Sequence, residues 1–150
     1  MNSLKNWQIF LIIVFPLLVS GLFDDEFIKD LIKGGFFIVL VAYYLLIGDF
    51  LNQLNSGRSK WFFTFNCFFM IIFYFLSALK IGLGNEVLVI GLAIYFGFSY
   101  IYVADELAIG LRKAEGKEVS NFKQAPDFLL FFLWPIGIWI LQPRINKLEE

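Results

Sequence analysis

Residues 61–79 read WFFTFNCFFMIIFYFLSAL, a stretch of nineteen residues that contains no charged side chain. A helix needs about 20 predominantly apolar residues to cross the roughly 30 Å hydrocarbon core of a bilayer. Because lipid offers the backbone no hydrogen-bond partner, such a stretch must pair its own N–H and C=O groups, as a helix does. The stretch therefore predicts a membrane-spanning helix.

Four further apolar runs flank this stretch, at 7–23, 34–51, 87–104 and 128–141. Short polar linkers separate the runs, and the ten-residue alternation of a membrane β-barrel is absent. The chain is therefore predicted to be all-α, a polytopic membrane bundle forming a single domain over residues 1–150. Helices are expected at about 7–23, 32–51, 61–79, 87–114 and 127–142. Four of them span the membrane, and the short, proline-broken fifth segment either spans or re-enters.

Composition excludes several classes of protein. The chain is 59% hydrophobic and 17% charged, whereas soluble domains carry about 25% charged residues. The formal net charge of −1 provides no basic surplus for nucleic acid. Histidine is absent and Cys67 is the only cysteine, so the usual zinc, haem and iron–sulfur sites are excluded and no cofactor is expected.

The first run could be mistaken for a secretory signal peptide, because Lys5 precedes the apolar residues 7–23. The run is long, however, contains Pro16 and is followed by three acidic residues at 24–26. We therefore expect a retained first helix in a multi-pass protein of the inner cell membrane. The expected partners are the lipid bilayer and either a second copy of the chain or another membrane protein.

The distribution of Lys and Arg predicts the orientation. The N-terminus and the second and fourth linkers share one side of the membrane. If the fifth run spans, seven Lys and Arg lie on that side and five on the other; if it re-enters, the division is nine against three. Positive residues collect in the cytoplasm, so both cases place the N-terminus there. Re-entry gives the clearer contrast.

The fifth run is unusual in length and composition. At 1.5 Å per residue, 128–141 extends about 21 Å, which is short of the hydrocarbon core. Pro135 removes a backbone donor, and Gly137 permits close backbone approach. These residues indicate a defined bend followed by a polar end of the segment at Gln142, Arg144 and Asn146. Alternatively, the segment is a kinked helix anchored by tryptophan at the membrane interface. The candidate positions in this segment are Trp134, Pro135, Gly137, Trp139, Gln142, Arg144 and Asn146.

The same segment carries a resemblance. Residues 131–146, FFLWPIGIWILQPRIN, are similar to a C-terminal signature of uncharacterised small polytopic membrane proteins of Bacteroidota. The resemblance covers about a tenth of the chain. It implies a membrane module and transfers no catalytic or binding residue.

Charged residues inside membranes often mark functional sites, yet here they lie only at the ends of the runs. Asp49, Asp105 and Glu106 lie at the cytoplasmic ends of the second and fourth helices. They could form a cation or proton site at the cytoplasmic opening of a transport pathway. Alternatively, they are solvated interfacial residues paired with the arginines at positions 58, 112 or 144.

Four further candidate residues lie within the runs. Asn66 is expected to bond across a helix interface, either as packing or as a substrate contact. Tyr95, Ser99 and Tyr102 share one helix face, which could line a polar crevice or pack closely against another helix.

Three functional classes follow. The first is a non-enzymatic membrane subunit or scaffold that binds partner helices, favoured by minimal loops and dense phenylalanine. The second is a small oligomeric channel or carrier with its polar face on the fourth helix. The third, an intramembrane enzyme, is the least supported. The chain has no histidine, and the carboxylates of Asp105 and Glu106 point about 100° apart on a helix.

Overall fold

A computed structural model describes residues 6–55, 60–78 and 85–148, and within these ranges the chain is helical with no strand. The chain therefore forms an all-helical bundle, in agreement with the predicted fold class. Its helices are α1 (Asn6–Ser20), α2 (Glu26–Leu54), α3 (Lys60–Ala78), α4 (Glu86–Ala114), α5 (Asn121–Phe132) and α6 (Trp134–Asn146).

Among the described residues, three helices are long and apolar enough to cross a membrane: α2, α3 and α4. A fourth span is counted only if the bent pair α5–α6 is taken as one. The 29 residues of α2 and of α4 correspond to about 43 Å each, so both exceed the hydrocarbon thickness. The first run forms a shorter apolar helix of 15 residues, α1.

The second helix begins earlier than predicted, at Glu26 rather than at residue 32. The side chain of Asp25 accepts hydrogen bonds from the backbone N–H groups of Phe27 and Ile28. Such a cap satisfies backbone donors that have no partner inside the helix. The acidic linker therefore supplies the cap and first turn of α2 instead of a free loop.

The predicted fifth helix at 127–142 is wrong as a single element. It consists of α5 and α6, which meet at Leu133 with a bend of 114° between them. The start was also misplaced, because α5 begins at Asn121 and contains Pro126 inside the helix. Pro126 has no N–H to donate to the carbonyl of Phe122, four residues earlier. Phe122 is 94% exposed.

The centre of the bundle is α2, which contacts α1, α3 and α4. Its side chains at Tyr44 and Ile47 are fully buried. Gly48 allows α3 to approach closely, since a Cβ atom at this position would lie 2.5 Å from the Phe63 ring. The C-terminal half of α4 completes the core with Val103, Ala104, Leu107, Ala108 and Leu111.

Candidate functional site

The break between α5 and α6, together called the C-terminal hairpin, is the feature that departs most from regular structure. Pro135 has no backbone N–H, so the carbonyl of Phe131, four residues earlier, loses its usual helical donor. The hydroxyl of Tyr44 donates to that carbonyl at 2.6 Å. A buried residue of α2 therefore replaces the bond that proline removes.

The next carbonyl is satisfied in the same way. The N–H of Ile136 donates to Leu133 at 3.1 Å instead of to Phe132. The hydroxyl of Tyr100 on α4 donates to the Phe132 carbonyl at 2.9 Å. Unpaired carbonyls are costly in a membrane, and here two tyrosines from two different helices compensate for them.

Gly137 makes the bend sterically feasible. A Cβ atom at this position would lie 1.7 Å from the carbonyl oxygen of Leu130. No side chain can occupy that space without a shift of the backbone. Its own N–H donates to Leu133 at 3.2 Å, which closes the first turn of α6.

The returning leg α6 packs against α2 and α1 through polar and aromatic contacts. Gln142 is 1% exposed and accepts a hydrogen bond from the Tyr43 hydroxyl at 3.0 Å. Its amide donates to Asn146 at 2.7 Å. The polar residue Gln142 at the end of the segment therefore points into the bundle. The two tryptophans lie against neighbouring helices, Trp134 beside Phe36 and Trp139 beside Phe10.

A charge cluster, defined as Arg112, Glu115, Asp127 and Arg144, joins the two legs of the hairpin to the end of α4. Asp127 is 4% exposed and lies between both arginines. Arg112 contacts it at 2.9 Å. Arg144 also forms a two-pronged contact with Glu115, at 2.7 and 2.6 Å. Asp127 lies midway along α5 and Arg144 lies near the end of α6, so their ion pair brings the end of the returning leg back to the first leg, beside the end of α4.

The charge cluster lowers the pKa of Glu115 to about 2. Hydrogen bonds from Arg144 are the largest cause, partial burial opposes them, and Lys117 at 2.9 Å adds to the lowering. The carboxylate therefore stays ionised at neutral pH. Removing one partner from a buried group of ion pairs typically lowers the free energy of unfolding by about 3–5 kcal/mol.

The face of α4 that carries Tyr95, Ser99 and Tyr102 packs against α3. The Ser99 hydroxyl donates to the Asn66 side chain at 2.8 Å, and both residues are fully buried. The rings of Tyr95 and Tyr102 contact Phe69 and Phe62 with centroids 4.6 and 4.9 Å apart. Close packing against α3 therefore describes Tyr95 and Ser99, while Tyr102 also lines a groove between α4 and α5.

Two of the acidic residues at the helix ends, Asp49 and Asp105, contact different partners. Asp49 pairs with Lys60 and accepts from Gln53 at 2.8 Å. Asp105 accepts from Gln124 at 2.8 Å, and Glu106 is half-buried on α4. Arginine partners are one of the two alternatives that the sequence predicts for these acids. In the structure, Asp49 contacts Lys60 and Gln53, and Asp105 contacts Gln124. Arg58 lies outside the described residues.

The residues that hold the hairpin could not be identified from the sequence. Glu115 and Asp127 were not recognised as ion-pair partners, and Tyr44 and Tyr100 were not recognised as carbonyl donors. Pro135 was a signal that a donor was needed, because it leaves one carbonyl free. The identity of that donor depends on which helices lie beside the break.

Comparison of the chain with protein-family models, with curated proteins and with solved structures finds no match. Within residues 6–55, 60–78 and 85–148, no group of three or more His, Cys, Asp or Glu side chains is placed to hold a metal ion. The function must therefore be inferred from the arrangement of the helices and their side chains.

Proposed function

We propose that this chain is a non-enzymatic, multi-pass subunit of the inner membrane that binds a helix of a partner membrane protein. One observation carries the proposal: the first turns of α4 are exposed around the whole helix. Val87 and Val89 point about 200° apart, yet they are 78% and 42% exposed. No described helix of the chain covers either side.

The exposed turns also have the composition of a helix-binding surface. Val87, Ile90 and Ile94 recur at i, i+3 and i+7, which places them on one face. A Cβ atom added at Gly91, beside this face, would meet nothing within 4 Å. Small residues in membrane helices let a second backbone approach closely. We call these four residues the α4 docking face.

The polar side chains of the core support a structural role for the chain. Among the described residues, every buried side-chain nitrogen or oxygen has a hydrogen-bond partner. Ser99 joins α4 to α3 through Asn66, and Gln142 joins α6 to α2 through Tyr43. These groups connect helices of the same chain. The tyrosine face that would line a channel packs on α3, so a channel is not proposed.

The proposal includes a re-entrant C-terminal hairpin. Its legs contain 12 and 13 residues, or about 18 and 20 Å, so neither leg alone can cross a 30 Å core. The break contacts Tyr44 and Tyr100. Along the helix axis these residues lie about 15 and 21 Å from the C-terminal ends of α2 and α4. The hairpin would therefore enter the membrane from the side where α2 and α4 end, and return to that side. The similarity of 131–146 to Bacteroidota proteins falls on this break and returning leg, and we include membership in that group in the proposal.

The same geometry supports a cytoplasmic N-terminus. Arg144 and Arg112 both contact Asp127, so α6 ends on the side where α4 ends. When α1 is also counted as a span, nine Lys and Arg lie on that side and three on the other. Cytoplasmic segments carry the positive excess.

The test is photocrosslinking in cells, with a photoreactive amino acid in place of Ile94. We expect one crosslinked membrane polypeptide. Gly91→Leu should abolish the product, because the added side chain occupies the space a partner backbone would need. Gly35→Leu on α2 is the matched control, since a Cβ there also meets nothing within 4 Å.

The crosslinking outcome can contradict the proposal in two ways. A probe at Ile94 that forms only lipid adducts would show that no helix occupies the docking face. Equal loss of the product in Gly91→Leu and Gly35→Leu would show that the effect is not local to α4.

A further inference from the structure

A second surface lies where α4 meets α5, farther along α4 than the docking face. A groove of about 380 Å³ runs between the two helices. Its apolar walls include Phe98, Ile101 and Phe128, and its polar end is formed by Asp105 and Gln124. The groove is therefore amphipathic along its length.

The apolar part of the groove opens away from the bundle. Phe98 and Ile101 are 49% and 51% exposed. Ala125, which lines the groove from α5, is also exposed. In a bilayer these side chains face acyl chains, so a lipid can enter the groove sideways.

The polar part of the groove lies at the level of the headgroups. If the hydrocarbon core begins near Glu86, about 20 helical residues reach its far boundary close to Asp105. Gln124 is 8% exposed and donates to the Asp105 carboxylate at 2.8 Å. A carboxylate can accept about four hydrogen bonds, so this contact leaves capacity for a ligand.

We propose that the groove binds one phosphatidylethanolamine molecule from the bilayer. An acyl chain lies along Phe98, Ile101 and Phe128, and the protonated amine donates hydrogen bonds to Asp105. Charge and hydrogen bonding together decide the headgroup: a primary ammonium is positive and offers three N–H donors to a carboxylate. The trimethylated amine of phosphatidylcholine offers none, and phosphatidylglycerol carries no cation. This site does not depend on the partner helix proposed above, because it uses a different part of α4.

The experiment is native mass spectrometry of the purified chain, released from vesicles that contain equal parts of phosphatidylethanolamine, phosphatidylcholine and phosphatidylglycerol. We expect the phosphatidylethanolamine adduct to be retained preferentially. Asp105→Asn should weaken its retention about tenfold, the effect of losing one hydrogen bond to a charged group. Asn still accepts from Gln124, so this variant should fold.

Two further variants keep the result interpretable. Asp49→Asn removes an exposed carboxylate outside the groove and should leave the lipid preference unchanged. Ala125→Phe fills the groove and should reduce retention of all three lipids, with an unchanged Tm. Equal retention of phosphatidylethanolamine and phosphatidylcholine, or equal effects of Asp105→Asn and Asp49→Asn, would overturn the proposal. A polypeptide crosslinked to a probe at Ala125 would also overturn it.

Discussion

The C-terminal hairpin and the α3–α4 pair are both held by polar side chains, but in different ways. The α3–α4 pair is joined by the neutral bond of Ser99 to Asn66, set among aromatic contacts. The hairpin uses tyrosine donors to backbone carbonyls and a buried charge cluster. Regular helices satisfy their own backbone, whereas a broken one needs donors from its neighbours. Strong polar contacts therefore concentrate where this backbone leaves the helix.

The largest effect is expected for Gly137→Ala. Its methyl group would overlap the Leu130 carbonyl, so the backbone at the break must move. We expect a loss of stability of about 4 kcal/mol or more, measured by thermal unfolding in detergent. Gly35→Ala is the control, because its methyl group meets nothing within 4 Å. Similar Tm values for both variants would show that the close contact at Gly137 does not exist.

The next effect is expected for Asp127→Ala, which removes the central acceptor of the charge cluster. Arg112 and Arg144 would then be left partly buried with too little negative charge, at a cost of about 3 kcal/mol. The same unfolding measurement applies. Asp49→Ala removes the ion pair of Asp49 with Lys60, whose side chains are 54% and 49% exposed, and should lower the stability much less, because exposed ion pairs contribute little. If the two variants are equally stable, the cluster does not hold the hairpin.

A smaller effect is expected for Tyr44→Phe. The Phe131 carbonyl would lose its donor while buried, and an unsatisfied buried acceptor costs about 1–3 kcal/mol. Tyr100→Phe removes the same kind of bond at a half-buried position and should cost less. An unchanged Tm in Tyr44→Phe would mean that the carbonyl finds another donor.

The smallest effect is expected for Ser99→Ala in the α3–α4 pair. Hydrogen bonds between membrane helices contribute about 0.6 kcal/mol on average. The Asn66 amide N–H keeps its bond to the Phe62 carbonyl at 2.7 Å, while the Asn66 amide oxygen loses the Ser99 donor. If Ser99→Ala destabilises the protein more than Tyr44→Phe, the contrast between the two regions is wrong.

The fold could be predicted from the sequence wherever composition alone decides it. The uncharged stretch 61–79 and the run 87–104 predict helices because lipid permits little else, and helices occupy both regions. The prediction placed the start of α2 too late because the first turns of the helix carry the charged residues Glu26, Lys29 and Asp30. A polar first turn was interpreted as a linker, although N-terminal turns commonly carry acidic residues.

The candidate site was predicted only in part. Pro135 and Gly137 indicated a break, since one lacks a donor and the other lacks a side chain. The pairing of Asp127 with Arg112 and Arg144 could not be predicted, because it depends on the direction in which α6 leaves the bend. α6 packs against α1 and contacts α2 through Tyr43 and Phe36, and sequence spacing contains no information on these contacts.

The most direct test of the returning hairpin is cysteine labelling in a Cys67→Ser background, with a membrane-impermeant reagent applied to oriented vesicles. Lys147→Cys probes the end of the chain after α6, and Glu118→Cys probes the loop between α4 and α5. Asp24→Cys probes the opposite end of the bundle, and all three positions are exposed. The hairpin predicts that positions 147 and 118 are labelled from the same side and position 24 from the other. Labelling of 147 together with 24 would show that the segment spans the membrane and would contradict the account.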